Sequence, residues 1–377
     1  MRGAAMIGML VIAALVFSAP GCRRAEQGTI PARLNRLLSD LHEAGRFDGA
    51  VVVSDARGVV FERGYGWADA GRKVPFTPDT ATDGASLAKT FTAALVLTLR
   101  EDGRLDLDAP VQRWLPELPY PDVTLRHLLS HASGIPVHDY DFFDRDLPPG
   151  TVRTTESLLR VLAARRPPLA APPGTAFEYS SFGYDLAALA TARSGGKPWF
   201  DLLAERFLQP LGMTSVFARP GRLADFPGVR TRGYRRNGDH LVLNEVFDNE
   251  AFHGGSNLYL SVRDLDRWSA SFLRAPKLTP AALAADREPA TIGAAPSGLT
   301  LGSWYRSADG RAHWYSGHLQ GFHSEALRDE ARGWSIAYTS NPASVSAAQK
   351  ICMSSLLASR PWITRTLPIG VEAGTNL

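Results

Sequence analysis

The order of segments along the chain predicts an α+β fold: an antiparallel sheet flanked by helices and interrupted by a helical insertion. Strand patterns occupy residues 49–65, helical patterns dominate the middle of the chain, and strand patterns return after residue 314. Strands that follow one another through short turns pair antiparallel, and a block of helices between two groups of strands is typical of α+β proteins. The helical insertion is predicted over roughly residues 119–255.

The first elements are an amphipathic helix and a β-hairpin. Residues 32–44 carry leucines at helical spacing, which indicates a helix with one buried side. Two valine-rich segments follow at 49–54 and 59–65, on either side of a turn that contains Gly58. This pattern predicts two paired strands of the sheet.

The next helix is predicted to be buried and to carry a reactive serine. The residues after Ser86 are apolar on nearly every side until Gly103, which is expected to end the helix. Lys89, three residues after Ser86, would lie on the same face. A serine hydroxyl becomes nucleophilic when a neighbouring base takes its proton, and a helix N-terminus favours the negative charge that develops. A second Ser-x-x-Lys match, Ser194–Lys197, contains two glycines and precedes a proline, so it lacks this helical setting.

The remaining elements are predicted from the same periodicities. Helices are expected at 124–131, 155–164, 183–194, 199–208, 261–273 and 343–358, and a short helix at about 111–117. Strands are expected around 314–315, 323–328 and 334–339. Residues 137–149, rich in aspartate and aromatic residues, are predicted to form a loop.

The composition is that of an ordinary globular protein, with 45% hydrophobic and 21% charged residues and a net charge of +3. Acidic and basic residues are interspersed, so no nucleic-acid partner is predicted. Only five of the 41 basic residues are lysines, which makes Lys89 within an apolar helix unusual for this chain. The two cysteines, Cys22 and Cys352, offer no disulfide framework once Cys22 is modified or removed.

The N-terminal residues 1–22 predict export. A charged start, a short apolar run and small residues before Cys22 are typical of a secretory signal, and the run is short for a membrane span of about 20 residues. Cys22 after Gly21 also resembles a bacterial lipoprotein signal, in which the cysteine is lipidated and anchors the protein to a membrane. Simple cleavage and an uncleaved anchor are the alternatives. The expected location is the periplasm or cell envelope.

The chain is divided on this basis into a signal segment, a short linker, one large domain and a tail. The linker is placed at 23–31, the domain at 32–363 and the tail at 364–377.

Several segments resemble, in order, those of the β-lactamase-related family of serine hydrolases, which includes class C β-lactamases, D-amino-acid peptidases and esterases. The resemblance runs from residue 47 to about 357, and its most distinctive stretches are Leu128–Pro136 and Gln209–Thr214. It implies a β-lactamase/transpeptidase-like fold. It also implies hydrolysis of carboxylic esters or small amides and peptides through an acyl-enzyme on Ser86, with no cofactor or metal.

By this resemblance Ser86 is the nucleophile and Lys89 its partner base. Tyr179 belongs to the second motif of the family, Tyr-x-Asn, and would share proton transfer with Lys89; either side chain could be the base. A phenol beside an ammonium has its pKa lowered, so phenolate character is physically reasonable. Ser181 replaces the motif's asparagine, whose amide usually orients the substrate and the lysine.

The third family motif is Lys or His, then Ser, Thr or Gly, then Gly, and its ungapped match is Tyr315-Ser316-Gly317. The backbone N–H groups of Ser86 and His318 would then form an oxyanion hole. Tyr315 removes the cation from this motif. Aligning the motif at His318 instead recovers a histidine but requires a gap.

Other functions are compatible with parts of the pattern. Residues 84–88 nearly match the Gly-x-Ser-x-Gly elbow of α/β-hydrolases, but that elbow follows a buried strand and the preceding residues do not read as one. A non-catalytic lipoprotein that binds cell-wall fragments would tolerate the altered motifs. Within the family, β-lactamase and D-alanyl-D-alanine carboxypeptidase activities are the alternatives to ester hydrolysis. His127 and His131 have a spacing that can bind zinc, but capping or core roles are predicted for them.

Overall fold

The computed structural model describes residues 29–136, 146–227, 231–238, 240–244, 249–273 and 279–341. The signal segment with Cys22, most of the predicted loop at 137–149, the helix predicted at 343–358 and the tail lie outside these residues. No helix in the described part of the chain is both long and apolar enough to span a membrane.

Helices and strands occupy most of the described residues. The helices are α1 Ile30–Glu43, α2 Ala88–Glu101, α3 Leu125–Leu129, α4 Thr155–Arg165, α5 Ser181–Gly195, α6 Trp199–Leu203, α7 Val262–Ser271 and α8 Pro280–Asp286. The longer strands are β1 Gly49–Asp55, β2 Gly58–Tyr65, β8 Tyr234–Asn237, β9 His240–Leu243, β12 Pro289–Ile292, β13 Ala295–Thr300, β15 Ala312–Leu319, β16 Phe322–Asp329 and β17 Trp334–Ser340. The strands of two or three residues are β3 Trp67–Asp69, β4 Val74–Pro75, β5 Thr82–Asp83, β6 Arg153–Thr154, β7 Phe217–Ala218, β10 Glu250–Ala251, β11 Leu258–Leu260 and β14 Tyr305–Arg306.

Within the described residues, the main sheet has eight strands in the order β12-β13-β14-β15-β16-β17-β1-β2. All neighbouring strands in it are antiparallel. The N-terminal hairpin β1-β2 joins the C-terminal strands through β17, with Val51 opposite Tyr338. The predicted α+β class, with strands from both ends of the chain in one antiparallel sheet, is therefore confirmed.

The two faces of the sheet are covered by different helices. On the outer face, four buried leucines of α1 pack with Val51, Val53 and Tyr338. On the inner face, Ala50 and Val52 join the main core, which contains α2 and α7. Successive side chains of β1 point to opposite faces of the sheet, and helices cover both faces. The strand is therefore buried on both sides, and its sequence is a continuous run of valines rather than an alternation.

Several predicted elements differ in extent from the observed ones. The predicted helix 199–208 is α6 followed by a π-helical turn, Ala204–Leu208, and the short helix near residue 117 is a 3₁₀ turn, Val111–Arg113. Strands β12, β13 and β14 were missed because prolines and glycines interrupt this region and mimic a loop. The segment 119–255 contains α3 to α6 and also the strands β6 to β10.

The central helix α2 is buried on nearly every side, as its sequence predicts: within Ala88–Leu97 every residue is buried. Its Phe91 stacks on Trp268 of α7 with ring centroids 4.1 Å apart. The Trp268 indole also donates a hydrogen bond to the Thr90 hydroxyl at 2.9 Å. This pair fixes α2 against α7 on the inner face of the sheet.

Trp268→Ala should therefore destabilise the fold by about 3–5 kcal/mol, because it removes a large buried ring and leaves a cavity. Trp268→Phe retains an aromatic ring but loses the bond to Thr90, so the cost should be lower, about 1–2 kcal/mol. Urea unfolding measures both free energies. Trp67→Ala is the matched control because Trp67 is 42% exposed. Equal losses for Trp67→Ala and Trp268→Ala would contradict this account of the core.

Candidate active site

The turn that carries Ser86 is built from a short strand, a buried carboxyl and a strained residue. Strand β5 leads into a 3₁₀ turn, Ala85–Leu87, which continues directly into α2, so Ser86 lies just before the helix rather than within its first turn. The Asp83 carboxyl accepts the N–H of Ala85 at 2.8 Å. Ala85 has φ = +48°, a left-handed conformation that costs a non-glycine residue about 1–2 kcal/mol. The surrounding hydrogen bonds maintain this conformation and expose the serine.

Lys89 lies on the same side of α2 as Ser86, as the three-residue spacing predicts. Its side chain is completely buried. The Lys89 Nζ lies 3.1 Å from Ser86 Oγ, 3.1 Å from Ser181 Oγ and 2.6 Å from the carbonyl oxygen of Gly255. These three acceptors match the three N–H donors of an ammonium group.

Tyr179 completes the group of side chains around the nucleophile. Its hydroxyl lies 2.7 Å from Ser86 Oγ, and Lys89 Nζ lies 4.8 Å from the centre of its ring. The residue as a whole is 43% exposed, yet its hydroxyl is in the interior of the site, 3.4 Å from the hydroxyl of Tyr315. The ring therefore borders solvent while the oxygen contacts the reactive atoms.

The two tyrosines have pKa values shifted in opposite directions. Burial opposes ionisation of Tyr179, but the Lys89 ammonium and the hydrogen bonds to its hydroxyl outweigh burial and lower its pKa. Burial and the neighbouring Tyr179 raise the pKa of Tyr315 well above its ordinary value. Groups whose environments separate their pKa values in this way can serve as base and acid partners. Tyr179 is thus suited to ionise, and Tyr315 to remain a hydroxyl that donates to it.

His131 holds the loop that presents Tyr179. Its ring stacks on the Tyr179 ring with centroids 4.5 Å apart, and its Nδ1 accepts the N–H of Ser180 at 3.0 Å. Burial and the positive charge of Lys89 lower the pKa of His131 to about 3, so it is a neutral acceptor. The core role predicted for it is confirmed, and it also orients the tyrosine.

His127 has the capping role that was predicted as the alternative to a core role for these two histidines. It forms a capping box with Thr124 at the start of α3. In the described part of the chain, no group of three histidine, cysteine, aspartate or glutamate side chains could hold a metal ion.

Strand β15 brings only part of the third motif to Ser86. A Cβ atom added to Gly317 would lie 3.0 Å from the Ser86 backbone nitrogen and 2.3 Å from the Gly84 carbonyl oxygen, so only glycine allows this approach. The side chain of Tyr315, two residues earlier, lies on the same face of the strand, beside Tyr179. The structure thus places the side chain of Tyr315, and not that of the gapped alternative His318, beside Tyr179.

The side chains of Ser316 and His318 lie on the opposite, outer face because strand residues alternate. The hydroxyl of Ser316 is 2.9 Å from Nε2 of His323, and the His318 ring lies 5.9 Å from the His323 ring. The prediction that Ser316 contributes to substrate binding is therefore not supported for its side chain. Ser316 and His318 can therefore reach the site only through their backbone groups.

Sequence reasoning missed three groups that shape the site. They are the Asp83 carboxyl, the Gly255 carbonyl and the Asp185 carboxyl, which accepts the N–H of Gly255 at 2.8 Å. A signal existed for Asp185, because it is an acidic residue in a helix whose residues 182–191 are all buried. The same reasoning that singled out Lys89 would have found it. Backbone groups such as the Gly255 carbonyl leave no such signal.

Comparison with known proteins places this geometry in a family. The Beta-lactamase family model matches residues 34–350. Esterase EstB of Burkholderia gladioli is 31% identical over 327 residues, which cover 75% of this chain and 81% of that protein. Penicillin-binding protein 4* of Bacillus subtilis (strain 168) is 31% identical over 189 residues, 49% of this chain and 42% of that protein. The chain therefore spans less than half the length of the Bacillus relative.

A solved structure agrees with the sequence matches. The octameric penicillin-binding protein homologue from Pyrococcus abyssi has a TM-score of 0.73 and 21% identity, covering 87% of this chain and 76% of that chain. The chain belongs to the beta-lactamase family and has the β-lactamase/transpeptidase-like fold. The α/β-hydrolase alternative is wrong, because β5 has only two residues and the main sheet is antiparallel.

The environment of Tyr179 generates a pH prediction. If the Tyr179 phenolate is the base, kcat/KM should rise with pH to a plateau, and its midpoint should lie below the ordinary tyrosine pKa of about 10. Tyr179→Phe should lower kcat/KM by about a hundredfold or more and abolish this rise. The measurement is the pH profile of ester hydrolysis. Tyr120→Phe is the control, since the Tyr120 hydroxyl donates to the Pro167 carbonyl. A profile unchanged in Tyr179→Phe would show that another group is the base.

Proposed function

We propose that this protein is an exported esterase that hydrolyses small, neutral carboxylic esters through an acyl-enzyme on Ser86. One observation carries the proposal: Ser86 Oγ lies within hydrogen-bond distance of both Tyr179 Oη, at 2.7 Å, and Lys89 Nζ, at 3.1 Å. A serine with a base on one side and a cation on the other has the arrangement that nucleophilic catalysis requires.

In the acylation step, Ser86 Oγ attacks the carbonyl carbon of the ester while its proton passes to the Tyr179 phenolate oxygen. Lys89 stabilises the phenolate and directs its own three N–H groups to Ser86, Ser181 and Gly255. Since all three donors have acceptors, we assign the base role to Tyr179 and the electrostatic role to Lys89. The tetrahedral intermediate then releases the alcohol, which takes the proton from Tyr179, and the acyl group remains on Ser86.

Deacylation repeats the chemistry with water as the nucleophile. Tyr179 accepts a proton from water, the oxygen of water attacks the acyl carbon, and the bond to Ser86 Oγ breaks. The proton returns to Ser86 and the carboxylic acid leaves. In both steps the carbonyl oxygen carries negative charge, for which the backbone N–H groups of Ser86 and His318 are the proposed donors.

The preference for neutral esters rests on two replacements in the family motifs. Tyr315 stands in place of a cation, and Ser181 in place of an asparagine amide. Charge-assisted hydrogen bonds are worth about 1.5–3 kcal/mol, so an anionic β-lactam or peptide would lose roughly tenfold or more in binding or orientation. A neutral ester requires neither group. The similarity to Esterase EstB, whose name describes an esterase and 81% of whose length is matched, supports this preference for esters.

Kinetics on two substrates tests the preference. We expect measurable hydrolysis of p-nitrophenyl butyrate and slow or absent turnover of a chromogenic cephalosporin, because Tyr315 replaces the third-motif cation. Ser86→Ala should abolish both activities, and Lys89→Ala should reduce kcat about a hundredfold or more. Ser194→Ala is the matched control from the second Ser-x-x-Lys sequence. A clear preference for the cephalosporin would assign the protein to the β-lactamase alternative.

The export part of the proposal rests on residues 1–22. If Cys22 is lipidated, the protein should sediment with membranes in its native host, and Cys22→Ser should move it to the soluble fraction. Fractionation followed by N-terminal mass measurement distinguishes the possibilities. A wild-type protein that is soluble and begins at another residue would show simple secretion.

A further inference from the structure

Two adjacent glycines cross the interior of the protein between α2 and α5. The Gly254 carbonyl accepts the hydroxyl of Thr92 at 2.9 Å, and the Gly255 carbonyl accepts Lys89 at 2.6 Å, so α2 binds this segment at two points one helical turn apart. A Cβ on Gly254 would lie 2.5 Å from the Ala188 Cβ of α5. The glycines are therefore required for this close approach, and their backbone reaches the active-site lysine.

Helix α5 holds the same segment through Asp185. This carboxyl is 1% exposed, and its Oδ1 accepts the N–H of Gly255 at 2.8 Å. It lies four residues after Ser181, which also contacts Lys89, so both residues lie on the same side of α5. Asp185 and Lys89 are thus linked through one residue, Gly255.

We propose that Asp185 is a positioning residue for catalysis: it holds Gly255 so that the Gly255 carbonyl fixes the Lys89 ammonium beside Ser86 and Tyr179. The inference rests on the proposed hydrolytic function. The inference goes beyond that function by assigning a role to a carboxyl that touches neither substrate nor nucleophile. The contact with Gly255 is the shortest that Lys89 makes with its three acceptors, so displacement of this carbonyl would alter the position of the ammonium.

The charge of Asp185 changes near neutral pH. Burial raises its pKa to about 7, against the opposing effects of the Gly255 N–H and the Lys89 ammonium, and Glu250 adds to the increase. Below this pKa the carboxyl is neutral and resembles an asparagine. Above it the carboxylate accepts a stronger bond from Gly255 than a neutral amide can.

Two substitutions distinguish a positioning role of Asp185 from a purely structural role. Asp185→Asn retains an oxygen that can accept the Gly255 N–H, whereas Asp185→Ala removes the acceptor. Asp266→Asn is the matched control, because Asp266 is also buried and accepts the hydroxyl of Ser54. The experiment measures kcat and KM for p-nitrophenyl butyrate between pH 6 and pH 8.5, with the rate of fluorophosphonate labelling as a second readout.

For Asp185→Ala we expect kcat and the labelling rate to fall about thirtyfold or more, with KM within about threefold of wild type, since proton transfer rather than binding is affected. For Asp185→Asn we expect nearly wild-type kcat at pH 6 and a deficit of about three- to tenfold at pH 8.5. Asp266→Asn should keep a constant ratio to wild type over this range. If Asp185→Ala does not fold, the pH-dependent ratio for Asp185→Asn remains a complete test.

Two results would overturn the inference: an unchanged kcat in folded Asp185→Ala, or a ratio of wild type to Asp185→Asn that is independent of pH. Failure of the proposed function has a different signature. In that case wild type itself would neither hydrolyse the ester nor react with the fluorophosphonate.

Discussion

The burial of Lys89 is the constraint on which the rest of the site depends. A fully buried ammonium requires hydrogen-bond acceptors for its donors, and three separate parts of the chain supply them: the turn before α2, the first residue of α5, and Gly255. These acceptors fix the distance between α2 and α5. The same charge lowers the pKa of Tyr179, so in the proposed mechanism one buried cation both organises the packing and activates the nucleophile.

The sequence predicted the local part of this site better than its long-range part. The proximity of Ser86 and Lys89 follows from their three-residue spacing at the start of an apolar helix, because residues three apart lie on the same face of any helix. Tyr179 and Tyr315 were found only through the family resemblance, because nothing in their own neighbourhoods indicates that they converge on Ser86. The contact of Gly255 with Lys89 joins residues 166 positions apart and uses a backbone carbonyl, which composition and periodicity do not reveal.

The fold shows the same division. Periodicity identified α1, α2 and the β1-β2 hairpin, whose patterns are long and regular, and missed β12 to β14, where glycine and proline interrupt the pattern. Side chains alternate between the two faces of β15, which explains why the predicted substrate-binding role of Ser316 is not supported for its side chain. Tyr315 and Gly317 face Ser86, so Ser316 between them must face away. Of the three consecutive residues of this motif, two thus face the site and the third, Ser316, faces the outer side of the sheet.

The proposed reaction passes through a covalent acyl group on Ser86. The most direct test is peptide mass spectrometry of the wild-type protein quenched in acid during turnover of p-nitrophenyl butyrate. We expect a butyryl group on the peptide that contains Ser86, and this group should disappear once the ester is exhausted. An adduct confined to another residue, with turnover unchanged in Ser86→Ala, would contradict it.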